Sequence, residues 1–340
     1  MITVLITGIA GHIGSALARW ILANVPDARI VGIDDLSCGY RENIPDDPRV
    51  IWGQVILGNG ADGIARIFAE EPPDYVFHLA AYAAEGLSPF CRLYNYRSNL
   101  LATAEVLNAV LEAGTIKRLI YASSMAVYGR GEPPFDEGDS CRPVDPYGVA
   151  KLASEQDIRI AGEQHGLDWC ILRPHNIYGP GQSLWQRYRN VLGIWMAQHL
   201  RGEPLTIFGD GQQRRAFSFI DDCLPAFWQA AVAPAASRQT INLGGIVPVS
   251  IWEAAHVLME IVGEVRIDVQ PARHEVHQAW CTWSRAAESL AYRDQMSLER
   301  GLMAMWHWAK DAWYRWPERR GSHQRIPIEL RRGLYGAWKE

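Results

Sequence analysis

The chain has 340 residues, 48% of them hydrophobic and 21% charged, with 38 acidic against 33 basic side chains and a formal net charge of −5. That apolar share is ample for a core and excludes a disordered chain, and the acidic balance speaks against a nucleic-acid partner. No apolar run reaches the ~20 residues of a membrane span and the first residues lack a basic leader, so a cytoplasmic protein without membrane contact is expected.

Residues 2–6 are apolar and β-branched, as a buried strand requires. Thr7-Gly8-Ile9-Ala10-Gly11-His12-Ile13-Gly14 follows, and then Ser15 to Ala23 places Ala16, Leu17, Trp20 and Ile21 at helical spacing. This is strand, glycine turn and helix. Gly8, Gly11 and Gly14 allow a tight turn, close approach of a pyrophosphate and close helix packing. The amides around His12 and Ile13, at the helix start, then face the phosphates. A second strand, 29–33, ends in Asp34-Asp35, and Asp34 stands twenty positions after Gly14. An acid there hydrogen-bonds an adenosine ribose and repels a 2′-phosphate, which favours NAD over NADP.

Further strands are predicted over residues 74–81, ending in Leu79-Ala80-Ala81, and over 117–122. The latter runs into Ser123-Ser124-Met125-Ala126-Val127-Tyr128-Gly129. Tyr147 and Lys151 stand at i and i+4, on one helix face. A phenol titrates near ~10 and is a poor base at neutral pH. An ammonium one turn away, with the positive nicotinamide ring, lowers that value. Ser124 can hydrogen-bond the same substrate oxygen, so the three together can remove a hydroxyl proton while the carbon gives up hydride. Ser124, Tyr147 and Lys151 are the candidate catalytic residues.

The GxxGxxG spacing, the HLAA segment at 78–81, the SSxxVYG at 123–129 and the YxxxK resemble the extended branch of the short-chain dehydrogenase/reductase superfamily, the sugar-nucleotide epimerases and dehydratases. The resemblance covers about residues 1–312. It implies that Asn99 lies near the cofactor and that Pro174, within Leu172-Arg173-Pro174-His175-Asn176-Ile177-Tyr178-Gly179-Pro180, approaches the nicotinamide. It further implies that Asn176 and Asn190 contact the substrate diphosphate. Arg215, in the Gly209-Asp210-Gly211…Arg214-Arg215-Ala216-Phe217 segment, and Arg273 take the positions of two diphosphate arginines. Two guanidiniums suit a diphosphate, since each binds bidentately and stays charged. Departures from the pattern are Gln54 where an acid usually stands near the adenine, Ala216 in place of an acid, and a tail beyond about Trp313 with no counterpart.

The residue before the VYG separates reactions within the branch. Dehydratases carry an Asp-Glu pair there, decarboxylases a Glu, and some epimerising enzymes a Cys nearby. Met125-Ala126 can move no proton. What remains suffices for oxidation and re-reduction at one carbon, so the expected function is an NAD-dependent nucleotide-sugar 4-epimerase of the UDP-hexose type. Glu85, His175 and Cys91 are loop groups that could add acid/base chemistry. A dehydratase, a decarboxylase, an epimerase at another carbon and a non-catalytic dinucleotide-binding protein are the alternatives.

The expected fold is α/β, a doubly wound parallel Rossmann sheet over residues 1–173, rejoined by a strand and helix near 218–243. A smaller α/β substrate-binding domain is expected from 174–217 and 244–340. The resemblance implies a homodimer through helices near 94–113 and 147–165. The six cysteines, Cys38, Cys91, Cys141, Cys170, Cys223 and Cys281, form no CxxC pair and read as reduced thiols without a metal site. Fourteen tryptophans are many for this length, and seven lie from Trp280 onward. Trp306, Trp308, Trp313 and Trp316, in the last helix and the start of the tail, are expected to pack the tail onto the substrate domain, with sugar stacking the alternative.

Overall fold

The computed structural model describes residues 1–60, 63–188, 190–319, 326–335 and 338. The remaining positions of the predicted tail, 320–325, 336–337 and 339–340, lie outside the described residues.

Seven parallel strands form the central sheet: β1 (Ile2–Thr7), β2 (Ala28–Asp34), β3 (Val50–Gln54), β4 (Tyr75–His78), β5 (Arg118–Ala122), β6 (Trp169–His175) and β11 (Gln239–Gly244). Their order is β11-β6-β5-β4-β1-β2-β3, with β1 flanked by β2 and β4. Alternation of side chains decides what each face buries. Val4, Ile6, Ile30, Phe77, Ile120 and Leu172 face a cluster shared with helices α1 (His12–Asn24), α7 (Ile220–Val232) and α9 (Ser284–Leu290). Leu5, Val31, Val76, Leu119, Tyr121 and Ile171 face α2 (Gly63–Glu70), α4 (Ala102–Ala113) and α5 (Pro146–His165). Both faces are thus covered, as an all-parallel sheet requires. The fold is a doubly wound α/β sheet, and the strand order reverses at β1 and β4, where such sheets open a ligand crevice.

A second apolar cluster gathers α6 (Val191–Leu200), α8 (Ile251–Val262) and α10 (Leu298–Arg315) around Trp195, Met196, Leu258, Trp306 and Trp313. Short strands stitch its approaches: β7 (Ile177–Tyr178) to β10 (Ser218–Phe219), β8 (Leu205–Phe208) to β13 (Ile267–Gln270), and β9 (Arg214–Ala216) between β12 (Pro248–Ser250) and β14 (Gln278–Ala279). Helix α8 is held at its start by a capping box of Ser250 and Glu253. The helical run before α4 is not uniform: α3 (Arg92–Tyr96) passes through a wider π turn at Arg97–Leu101. Among the described residues no helix is long and apolar enough to cross a membrane.

Candidate active site

One cavity of about 890 Å³ runs past the carboxyl ends of β1, β4, β5 and β6 and on to the segments around α6 and β9. At its first end lies the glycine loop between β1 and α1. Gly8 has φ +76°, which only glycine adopts without strain, and a Cβ there would stand 2.8 Å from the amide of Ala80. A Cβ on Gly14 would collide with the Gly8 carbonyl. Gly11 N donates to Gly8 O at 3.0 Å, and Thr7 Oγ1 accepts from Leu79 N and Ala80 N at 3.1 and 3.0 Å. The loop and the end of β4 therefore press backbone to backbone. Gly8, His12, Ile13, Gly14, Leu79 and Ala81 line the cavity, while Gly11 and Ala80 stand behind them. A floor made largely of backbone and small side chains fits a dinucleotide.

Asp34 is turned inward. Its Oδ2 accepts from Ala10 N at 2.9 Å and its Oδ1 from Leu36 N at 2.8 Å. Burial raises its pKa, against the pull of these two amides. It pins the glycine loop to the end of β2, and each oxygen keeps a lone pair for a ribose hydroxyl. Asp35 accepts from Ser37 N at 2.8 Å. Neither acid is among the cavity-lining residues. Nor is Asn99, a buried side chain whose Nδ2 donates to Tyr82 O and Asn95 Oδ1 at 3.0 and 2.9 Å. It braces the loop after β4 from the π turn, and its own Oδ1 is buried without a partner among the described residues.

The catalytic candidates meet at the middle of the cavity. Helix α5 opens with Asp145 as its cap, accepting from Gly148 N at 2.9 Å, and with Pro146 in the first turn. That start places Tyr147 at the cavity wall, its amide donating to Ser88 Oγ at 3.2 Å. Ser124 lines the same wall from the end of β5, where its Oγ accepts from Ala126 N at 3.1 Å and keeps its own proton to donate. Lys151 lies one turn behind Tyr147, 2% exposed. Its Nζ donates to Ala122 O at 2.7 Å and stands 4.7 Å from the Tyr121 ring and 5.9 Å from the Tyr147 ring. Burial pulls its pKa down to about 7, opposed by the charge of Glu155.

Glu155 is a residue the sequence reading missed. It is wholly buried and accepts from Ser123 Oγ at 2.5 Å, Arg173 Nη2 at 2.7 Å, Arg173 Nε at 2.9 Å and Arg159 Nη2 at 2.9 Å. Arg173 in turn donates to Tyr128 Oη at 2.8 Å. This network ties α5 to β5 and β6 directly behind Ser124 and Lys151. Its signal was an acid four residues after Lys151, on a face that buries Ala150, Ser154 and Ile158.

The far end of the cavity is lined by Pro174, Asn176, Asn190, Arg215 and Arg273. Asn176 and Asn190 have φ of 37° and 46°, the left-handed region that asparagine tolerates better than most residues. Their amides donate to Ala216 O and Ile177 O, each at 3.1 Å. Arg215 and Arg273 converge on one carboxylate oxygen of Glu275, at 3.6 and 3.2 Å. Arg273 Nε is buried with no acceptor among the described residues. Glu275 thus sits where an anion shared by the two guanidiniums would sit. Met125 and Ala126 form a short turn and do not line the cavity. His175 and Cys91 are buried away from it, the first held neutral with a pKa near about 3 by burial and by Arg215, the second pushed up to about 11 by burial. Glu85 does line it, with burial and Asp145 pushing its carboxyl up to about 7 against Arg215 and Arg273.

Comparison with known proteins agrees with this geometry. Residues 4–244 match the NAD dependent epimerase/dehydratase family. A UDP-glucose 4-epimerase of Mycolicibacterium smegmatis is 30% identical over 305 residues, covering 88% of this chain and 95% of that protein. Among solved structures, UDP-glucose 4-epimerase of Thermotoga maritima with UDP-glucose superposes with a TM-score of 0.85 at 27% identity, covering 92% of this chain and 99% of that one. UDP-glucuronic acid 4-epimerase of Bacillus cereus, with UDP-glucuronic acid and NAD, gives 0.84 at 28% identity, covering 92% and 100%. The chain belongs to the NAD-dependent epimerase/dehydratase family, in the extended short-chain dehydrogenase/reductase branch, and NAD is its cofactor.

Proposed function

We propose that this chain is a nucleotide-sugar 4-epimerase that inverts C4 of a UDP-hexose through a transient 4-keto sugar. The observation that carries this reading is what faces the cavity. Ser124 and Tyr147 line it, with Lys151 behind, and the neighbouring Met125-Ala126 slot offers no acid or base. The glycine loop, Leu79, Ala81 and Pro174 would hold NAD, with Asp34 at the adenosine ribose. Bound there, NAD would supply a reversible hydride acceptor for the sugar carbon. Tyr147 accepts the 4-hydroxyl proton, Lys151 stabilises the phenolate, and Ser124 donates a hydrogen bond to the same oxygen. Asn176, Asn190, Arg215 and Arg273 bind the diphosphate, which displaces Glu275 from the two guanidiniums. Inversion then needs only that the keto sugar turn while the diphosphate stays anchored. The named 4-epimerase relatives support this reading. Incubation with UDP-glucose, followed by separation of stereoisomers and mass analysis, tests it: UDP-galactose at unchanged mass is expected, and no turnover or a lighter product contradicts it.

One observation favours a second reading. Glu85 is a cavity carboxyl with its pKa near about 7, competent to move a second proton beside the sugar. Elimination, decarboxylation or epimerisation at another carbon would use it. Under that reading Glu85→Gln abolishes turnover; under the first it does not stop C4 inversion. The assembly we propose is a homodimer. Leu93, Leu101, Val149 and Ile160 are 73%, 52%, 41% and 47% exposed along the run of α3 to α4 and along α5. Val149 and Ile160 stand eleven residues apart, on one helix face.

A further inference from the structure

The chain after α10 returns to the cleft. Residues 326–335 run along the loop that follows β4, where Glu329 anchors them. Its carboxylate accepts from Leu93 N and Tyr94 N, both at 2.9 Å, and its own amide donates to Phe90 O at 2.8 Å. Leu334 and Trp338 are buried against Tyr82, Leu87 and Phe90. The Tyr335 hydroxyl accepts from His274 N at 3.0 Å, next to Arg273. Trp338 is 4% exposed and lines the cavity. Its ring lies 5.4 Å from Tyr188 and 6.4 Å from Phe208. The Arg273 guanidinium carbon stands 4.3 Å from the Phe208 ring and 5.8 Å from the Trp338 ring.

We propose that Trp338 is a substrate-binding residue, carried to the arginine end of the cleft by the strap at 326–335, where it contacts the nucleoside diphosphate and holds Arg273 in place for it. The inference rests on the nucleotide-sugar reading. A guanidinium within reach of two aromatic rings is attracted to both, so its position is set before a ligand arrives. The Nε of Arg273, buried with no acceptor among the described residues, is a donor that a phosphate oxygen would satisfy. Flat aromatic surface next to two guanidiniums suits a nucleobase joined to phosphates. The sugar lies toward Ser124 and Tyr147, so Trp338 acts on binding and leaves proton transfer alone.

Calorimetric titration of UDP into the NAD-loaded full chain tests this. Trp338→Ala is expected to weaken UDP about tenfold, equivalent to ~1.4 kcal/mol, and Trp338→Phe to recover most of that loss. Glu329→Ala, which frees the strap, is expected to give a similar loss with NAD content unchanged. In turnover KM rises and kcat holds. A Trp338→Ala protein that binds UDP as well as the parent overturns the inference, since a merely structural role would lower thermal stability without moving this constant. Tighter binding overturns it too, because the strap would then be a plug. A parent chain that binds no UDP contradicts the nucleotide-sugar reading itself.

Discussion

Removing Glu155 should lower stability and change its pH dependence, and the size of the effect follows from its surroundings. The carboxylate has no exposed side-chain surface, and Arg173 has 3%. Glu155→Ala leaves that guanidinium bonded to Tyr128 Oη but without its counter-charge. Breaking one side of a buried pair costs about 3–5 kcal/mol, a large share of the ~5–15 kcal/mol by which a typical domain is stable. The double variant Glu155→Leu/Arg173→Met removes both charges and should be less destabilised than Glu155→Ala, because no buried ion is stranded. The sign with pH also follows. Burial pushes the Glu155 carboxyl up, but the Arg173 hydrogen bonds and charge outweigh it and the net shift is downward. The stabilisation is therefore present above the unfolded carboxylate value of about 4.3 and is lost as pH falls through the lower folded value. Urea unfolding of parent and Glu155→Ala, from pH 7 downward, reads both effects. A difference under ~1 kcal/mol at pH 7, or one that grows on acidification, would refute the reasoning.

Three other outcomes are expected. Lys151→Met removes an ammonium whose pKa burial lowers from 10.5 to about 7. Between those values the unfolded chain holds the proton and the folded chain does not, so stability of the NAD-free protein rises with pH across that window; thermal melts should show the rise flattened in Lys151→Met, and equal slopes would contradict the burial argument. Gly14→Ala drives a methyl into the Gly8 carbonyl, so the purified variant should carry almost no NAD by mass spectrometry, and parent-like NAD content would contradict the tight-loop account. Ile160→Glu puts a charge on the exposed apolar face of α5; the parent should sediment as the proposed dimer and the variant as a monomer, whereas an unchanged distribution would place the interface elsewhere.

Local spacing made much of the cleft legible. Gly8, Gly11 and Gly14 sit between a strand and a helix, and a turn that tight has few backbone solutions. Tyr147 and Lys151 share a helix face because four residues make about one turn. The strand and helix near 218–243 appear as α7 and β11, the latter against β6. Other features depend on convergence from distant segments, which one-dimensional spacing does not encode. Glu155 reads as an ordinary surface acid until Arg173 of β6 is brought to it. Asp34 satisfies one amide of the glycine loop and one of its own turn, a competition that a motif cannot show. Glu275 pairs with two arginines 60 and 2 residues away. Trp306 and Trp313 pack into the α6, α8 and α10 cluster, but Trp338 stands at the cleft beside a segment tied down by the hydrogen bonds of Glu329 and Tyr335.

In the proposed reaction one carbon is oxidised and reduced within the same cleft, with the proton handled by Tyr147. UDP-glucose carrying deuterium at C4 tests it directly. UDP-galactose that keeps the label at C4 is expected, formed about 10²–10⁴-fold more slowly by Tyr147→Phe. Loss of the label to solvent, a product lighter by water, or a Tyr147→Phe enzyme as fast as the parent would contradict it.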